Sequence, residues 1–305
     1  MAVAVAALYF GWRCRFLSGD ATAMRPLMFF RPFVLQARQT LVQGGDEGSG
    51  TLSVHRLTFA LEGNSSLVSF GFDMGHGDFV QVRPPGHVKA RSYSPTSPGT
   101  RVGSFDIVVK EYPGGRVSGF LAQLQVGDVA EIAGPAPVPW LSHQLNPSTQ
   151  IGMVAFGVGI TEALPVARAQ LGRLDTIDTL TLLWACRRHA DTFWEQEVAS
   201  LTAQYPQRLR VVRAFSREQR PGYEHGRVDQ DMLARVFDSF SRGTARFLVV
   251  GTKQMKRDTS ARLAHLGFKG PPLLQKRLRP PWRWRKTAPY AASQAASYGT
   301  VLSLE

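Results

Sequence analysis

The spacing of apolar residues changes once along the chain, near Gln150, and no single sheet or bundle satisfies both halves of the pattern. From Pro32 to about Pro137 the apolar residues fall in short alternating segments: TLSVHRLTFAL (51–61), DFVQVRP (78–84), SFDIVVKEY (104–112) and DVAEIAG (128–134). Gly, Pro, Asn and Asp separate them, so this half predicts an antiparallel sandwich or barrel. One helix interrupts it, since Val117, Phe120, Leu121 and Leu124 after Gly114-Gly115 stand at i, i+3, i+4 and i+7. Beyond residue 150 the runs are continuous: IGMVAFG (151–157), TLTLLWA (179–185), RLRVVRAF (208–215) and RFLVVG (246–251). Continuous runs suit parallel strands buried on both faces. Ile160, Leu164, Ala167 and Leu171 hold helical spacing between them, and Phe193, Val198 and Leu201 hold it less regularly. The expectation is a β domain followed by an open α/β domain, joined near residues 135–150; 305 residues at 44% hydrophobic content can bury both cores.

The net charge of +13 belongs mostly to the ends. Residues 1–38 carry five Arg and one Asp, and residues 269–305 carry seven Lys/Arg and one Glu, leaving 24 basic and 21 acidic residues between. A folded body so nearly balanced lacks the clustered cations of a nucleic-acid footprint. Two cysteines, Cys14 and Cys186, cannot build a Cys₄ zinc site, a four-thiolate iron–sulfur cluster or a disulfide framework. The seven His show no paired metal-ligand spacing and no Ser/His/Asp grouping stands at motif spacing, so redox chemistry here calls for an organic cofactor. The leader, apolar in MAVAVAALYFGW and then Arg-rich, is too short there to span a bilayer and reads equally as a mitochondrial presequence or a membrane-proximal anchor.

Two stretches carry chemistry. ARSYSPTS (90–97) sets a cation, an aromatic ring and two hydroxyls side by side between strands, and is either a solvated Ser-Pro turn or a ligand clamp. FGVGITEA (156–163) places Gly157, Gly159 and Thr161 where a strand meets a helix, where glycines admit a ligand to the backbone and the helix N-terminus offers N–H groups to phosphate. Alone, two glycines fit a ligand-free turn as well. In order, however, RSYS, DIVVKEY, GGRVSGF and GVGIT make a set, and over residues 33–268 that set resembles the ferredoxin-reductase-type flavoproteins, in particular the NADH–cytochrome b5 reductase family.

The resemblance implies a six-stranded antiparallel flavin-binding β-barrel followed by a Rossmann-like parallel α/β nucleotide-binding domain. It implies FAD, with NADH as donor and NADPH as the alternative, and a one-electron acceptor such as cytochrome b5. Arg91 would pair with the flavin phosphate, Tyr93 pack on the ring system, and Ser94 donate to the hydride-accepting nitrogen. Ile107, Val108 and Val109 would offer backbone groups to the pyrimidine edge, with Lys110 and Tyr112 as further flavin contacts; Gly115, Val117 and Ser118 would hold the pyrophosphate. On the nicotinamide side fall Gly157, Gly159, Thr161, Gly251 and Met255, with Asp191 in the adenosine-side loop and Arg187 and Arg188 available to a 2′-phosphate. Ser94 and Thr161 would flank the reacting rings. Outside the motif, Lys110 reads as a solvated strand residue, Tyr112 as a rim aromatic and Ser118 as a helix-start hydroxyl.

Three departures fall on the nicotinamide side. Glu162 stands where the family has Pro after the Thr; Val250 stands where it has Cys beside the hydride-transferring carbon; and residues 269–305 replace the usual terminal aromatic strand with a Pro-rich, basic tail. These leave a second reading, a flavin-retaining but catalytically weak binding or assembly protein. The implied organisation is a leader (1–32), barrel (33–137), linker (138–149), NAD(P) domain (150–268) and structureless tail (269–305). The chain is expected to act as a monomer in the mitochondrion, or on the endoplasmic reticulum or another membrane surface facing the cytosol, touching the membrane through its leader or tail.

Overall fold

The computed structural model describes residues 27–45, 50–70, 72, 78–136, 149–172, 177–268 and 302–303. The leader up to residue 26, most of the linker and nearly all of the tail lie outside the described residues.

The first half forms β1 (Leu27–Val42), β2 (Val54–Ala60), β3 (Phe79–Arg83), β4 (Arg91–Tyr93), β5 (Ser104–Lys110), helix α1 (Arg116–Gln123) and β6 (Val129–Ala136). These six strands make one antiparallel sheet in the order β4-β3-β6-β1-β2-β5. A bridge from Pro95, two residues past β4, to Ile107 in β5 joins the two edges and closes the expected barrel. Alternation places Leu57 and Phe59 of β2, Val80 and Val82 of β3, and Ile107 and Val109 of β5 in a common interior, which Leu121 of α1 plugs. The segment before residue 33 is not all leader: pairing with β6 already joins Leu27 to Gly134 and Arg31 to Ile132. That pairing uses backbone groups, and Phe30 lies under the Arg83 guanidinium, 3.8 Å from ring centroid to Cζ.

The second half begins with β7 (Gln150–Phe156), then α2 (Ile160–Gly172), β8 (Thr179–Cys186), α3 (Glu195–Gln204), β9 (Leu209–Phe215), β10 (Glu224–His225), α4 (Gln230–Val236), β11 (Arg246–Val250) and α5 (Lys253–His265). Five strands run parallel in the order β10-β9-β8-β7-β11, and β12 (Leu302–Ser303), the described part of the tail, pairs antiparallel with β11. This is the expected α/β domain. The continuous apolar runs arise because helices cover both faces, giving one core with α2 and α3 and another with α4 and α5. Phe193 lies just ahead of α3 rather than in it, because Trp194 adopts a left-handed conformation at φ 62° that starts the helix one residue later.

The two domains share apolar packing. Val42, Val54 and Val108 of the barrel are buried in the same cluster as Phe193 and Trp194. Around it, Arg56 meets Glu197 at 3.3 Å and the Arg187 guanidinium donates to the Gly50 carbonyl. No helix among the described residues is long and apolar enough to cross a membrane.

Candidate active site

A cleft of about 1160 Å³ runs between the domains, and the strand ends determine what lines it. Its barrel wall takes Arg91, Ser92, Tyr93 and Ser94 from β4 and its exit, Val108 and Lys110 from β5, and Tyr112, Gly115, Val117 and Ser118 from the turn into α1. ARSYSPTS is therefore not a solvated turn; its RSY is strand β4, on the cleft wall. Alternation along β5 turns Ile107 and Val109 into the barrel interior, so of that trio only Val108 lines the cleft. A ring of polar contacts fixes the loop after Ser94. Asp106 receives two hydrogen bonds from Arg101, at 2.9 and 2.6 Å, and one from Thr58 at 2.7 Å, while its own N–H donates to the Ser97 hydroxyl at 3.0 Å.

The turn into α1 needs Gly115, where a Cβ would lie 2.2 Å from the Ser118 hydroxyl and 3.0 Å from the Tyr112 carbonyl. Ser118 also accepts the Tyr112 N–H at 3.4 Å, so part of its role is to satisfy the backbone. Tyr112 is 49% exposed, a rim aromatic at the cleft mouth. Lys110 is not a solvated strand residue: burial lowers its pKa, and Asp191 across the domain boundary opposes that shift.

The facing wall begins at Gly157, whose φ of 54° favours glycine and where a Cβ would meet nothing within 4 Å. The Trp184 indole N–H holds the Gly157 carbonyl at 2.9 Å, and the Thr161 hydroxyl donates to the Val158 carbonyl at 2.8 Å. Gly159 has a different reason, since a Cβ there would come within 2.8 Å of the Val250 carbonyl at the end of β11. Gly251 likewise packs against Phe156, and Met255 stands at the cleft in the first turn of α5, its N–H accepted by Thr252 at 3.3 Å. Open space before Gly157, exposed cations along the barrel wall and two glycine-tight backbone approaches together fit two extended, phosphate-bearing cofactors.

Two carboxyls and a thiol mark the floor. Glu162, in the first turn of α2, is 5% exposed, has one oxygen without a partner, and lines the cleft. Burial raises its pKa to about 8, against the pull of Lys256, whose own pKa burial lowers. Asp191 also lines the cleft, but its Oδ2 accepts the Arg188 N–H at 3.1 Å and sits 3.7 Å from Arg187 Nε, so it braces its own turn. Of the two arginines expected there, Arg187 lines the cleft; Arg188 is not among its lining residues. Burial, with Asp191 adding to it, pushes the Cys186 thiol up to about 12 and keeps it protonated. Sequence reasoning missed Ser216, Arg217, Arg227 and Arg262, which complete this wall. For Ser216 and Arg217 the available signal was position, directly after the carboxyl end of β9. Among the described residues no group of three or more His, Cys, Asp or Glu could hold a metal ion.

Two family models match this arrangement, an oxidoreductase FAD-binding domain over residues 49–137 and an oxidoreductase NAD-binding domain over residues 153–261. The chain is an oxidoreductase built of these two domains, and it is similar to NADH–cytochrome b5 reductases. NADH-cytochrome b5 reductase 1 of Aspergillus clavatus is 31% identical over 213 residues, covering 67% of this chain and 64% of that protein. The NADH nitrate reductase of Ulva prolifera is 30% identical over 200 residues, 59% of this chain and 23% of its own length. The chain thus spans under two thirds of the one and under a quarter of the other. Among solved structures, the cytochrome b5 reductase domain of that nitrate reductase superimposes with a TM-score of 0.64 at 25% identity, covering 80% of this chain and 97% of the domain. The cofactors of this reductase-type chain are accordingly FAD, on the barrel, and a nicotinamide dinucleotide, on the α/β domain.

Proposed function

We propose that the protein takes a hydride from a reduced nicotinamide dinucleotide and passes electrons singly to a protein acceptor such as a b-type cytochrome. The observation that carries this reading is one cleft with the flavin-type residues of the barrel on one wall and the glycine-rich turn of the α/β domain on the other. FAD, when bound, supplies the conversion between a two-electron donor and a one-electron acceptor. Arg91 holds its phosphate, where a guanidinium offers several donors to an anion. Tyr93 packs on the ring system, Ser94 supplies a hydroxyl to the ring, and the β5 backbone from Ile107 to Val109 meets its polar edge. Lys110 and Tyr112 close the mouth, and Gly115, Val117 and Ser118 bring N–H groups to the pyrophosphate. Gly157, Gly159, Thr161, Gly251 and Met255 receive the nicotinamide half, and Asp191 fixes the loop beside the adenosine.

The barrel domain runs from Leu27 to the linker and the nucleotide domain from there to Phe268, with a targeting or anchoring segment before and a basic tail after. A membrane-facing site, in the mitochondrion or on the cytosolic side of another membrane, suits a chain whose relatives include a plasma membrane-associated coenzyme Q6 reductase of Saccharomyces cerevisiae.

The test is anaerobic mixing of the purified full chain with each dinucleotide while the visible spectrum is recorded. Bound flavin that bleaches within seconds is expected. Flavin that stays oxidised with both donors refutes the reductase reading and leaves a flavin-binding protein.

A further inference from the structure

The first turn of α2 puts a carboxyl on the cleft wall, where Glu162 follows Thr161. This turn is seated firmly against the end of β11, since a Cβ on Gly159 would lie 2.8 Å from the Val250 carbonyl. Glu162 is only 5% exposed, yet its Oε1 has no hydrogen-bond partner. A buried oxygen left unmatched is unfavourable and calls for a reason, and a ligand that completes its hydrogen bonding is one. The resembled family has proline at this position, with no polar side-chain atom, so the reason is particular to this chain.

The groups around Glu162 do not complete it. On α5, Lys256 attracts the carboxyl but makes no ion pair with it among the described residues, Asp258 accepts from Gln254 Nε2 at 2.7 Å, and Arg262 donates to the Val228 carbonyl at 3.1 Å. The end of β11 brings Val250 and Gly251, neither of them charged. At the end of β8 stand Cys186, protonated, and Asp191, whose Oδ2 accepts the Arg188 N–H. A helix N-terminus and a nearby lysine both favour the carboxylate, but burial outweighs them and keeps the proton on Glu162 at neutral pH. What faces the cleft is a neutral acid, with an O–H donor and a carbonyl acceptor side by side.

That donor set selects its ligand. A phosphate or carboxylate has acceptors only and uses half of it, and a cation would draw the proton off. A primary carboxamide has the complementary pair, an N–H donor beside a carbonyl acceptor. The only such group on a nicotinamide dinucleotide is on the ring, and Glu162 shares the cleft with Thr161, Gly251 and Met255, which receive the nicotinamide half in the reading above. We propose that Glu162 reads the carboxamide of the nicotinamide ring, acid and amide exchanging a pair of hydrogen bonds, and so determines which dinucleotide analogues the cleft accepts. The proposal rests on the reductase reading and deepens it.

Calorimetry on the full-length FAD-loaded protein tests this with three probes, and the flavin spectrum checks that each variant is folded. Tetrahydro-NAD has a neutral ring with its carboxamide and gives up no hydride; the tetrahydro form of the acetylpyridine analogue replaces the amide nitrogen by a methyl; ADP-ribose lacks the ring. Wild type at neutral pH is expected to prefer the amide over the acetyl probe by about tenfold, equivalent to about 1.4 kcal/mol. Glu162→Ala should abolish that preference, Glu162→Gln, which keeps a donor and an acceptor, should restore it, and ADP-ribose should bind all three proteins alike. Raising the pH from about one unit below to about one unit above the Glu162 value of about 8 should weaken tetrahydro-NAD about tenfold relative to ADP-ribose in wild type, and leave Glu162→Gln unchanged. A preference that survives Glu162→Ala overturns the proposal, as does wild type without one. Wild-type affinity that is flat with pH overturns it too, and variants that weaken ADP-ribose equally would assign Glu162 to packing. Flavin bleached rapidly by NADH, with the amide preference intact in Glu162→Ala, removes the proposal and keeps the reductase. Flavin that neither dinucleotide bleaches removes the reductase reading, and the calorimetric preference then judges the Glu162 contact separately.

Discussion

Replacing Glu162 by glutamine is expected to alter the pH dependence of stability rather than stability at low pH. In the folded protein, burial holds this carboxyl's proton until about pH 8, while an unfolded chain releases it near the ordinary glutamate value of 4.5. Between those values the folded state binds more protons than the unfolded state, so wild-type stability falls as pH rises. Each pH unit in that window costs about 1.4 kcal/mol, giving a ceiling of about 5 kcal/mol by pH 8, above which the effect of this group is constant. Hydration through the cleft and the attraction of Lys256 bring the true figure below that ceiling. Glutamine has similar volume and no proton to release. Glu162→Gln should therefore differ little from wild type at pH 5 and gain several kcal/mol over it by pH 8, on the order of the ceiling just given. Urea unfolding of the FAD-loaded proteins, followed by tryptophan fluorescence at pH 5, 6, 7 and 8 (about one-unit steps through the window), measures this as a growing separation of midpoints at constant slope. A gap that is constant with pH, or that shrinks as pH rises, would refute the reasoning, because it would mean that the buried carboxyl is already ionised in the folded state.

Other outcomes follow from the same geometry. Gly159→Ala forces a methyl to within 2.8 Å of the Val250 carbonyl, so it should cost about 1–3 kcal/mol and slow flavin reduction, read by urea melts and stopped flow; wild-type values in both would show that β11 yields freely. Arg91→Ala removes a charge-assisted contact to the flavin phosphate and should weaken FAD about 10- to 100-fold, measured by flavin retention on dilution. Asp106→Ala strands Thr58 and Arg101, the latter still hydrated enough to limit the loss to about 2 kcal/mol; FAD affinity should fall with it, because the loop after Ser94 loses its anchor.

Which parts of this architecture were legible in the sequence depended on whether apolar side chains did the work. The four apolar-rich runs became β7, β8, β9 and β11 within a residue or so at their ends, because strands of a sheet covered on both faces carry few polar positions to blur them, Arg210 and Arg213 of the less buried β9 being the main exceptions. Helix α5 gave no such signal. Its buried positions are Lys256, Thr259 and Leu263, so the helical period is carried largely by polar side chains and a hydrophobicity reading passes over it. The start of β1 was hidden differently, by Arg31, one of the arginines that suggested leader chemistry while the backbone there pairs with β6. In the cleft, the order of motifs picked out residues that share one wall because β4, β5 and the turn into α1 are nearly contiguous in sequence. The wall holding Ser216, Arg217 and Arg227 was not legible, since these residues follow strands β9 and β10 in loops without an apolar or motif signal, and the sheet order brings them beside the end of β8.

The sharing of Val42, Val54 and Val108 with the α/β core bears on how such a protein could be recombined. Its two halves are separate in chain and in topology, yet they are not interchangeable modules. A chimera joining this barrel to the nucleotide domain of a relative would have to match those three valines to whatever replaces Phe193 and Trp194. A mismatch would leave a void or a clash under the cleft floor. Substitutions at this seam are thus constrained in pairs, and swapping the dinucleotide preference should be easier by changing residues at the strand ends than by exchanging the domain.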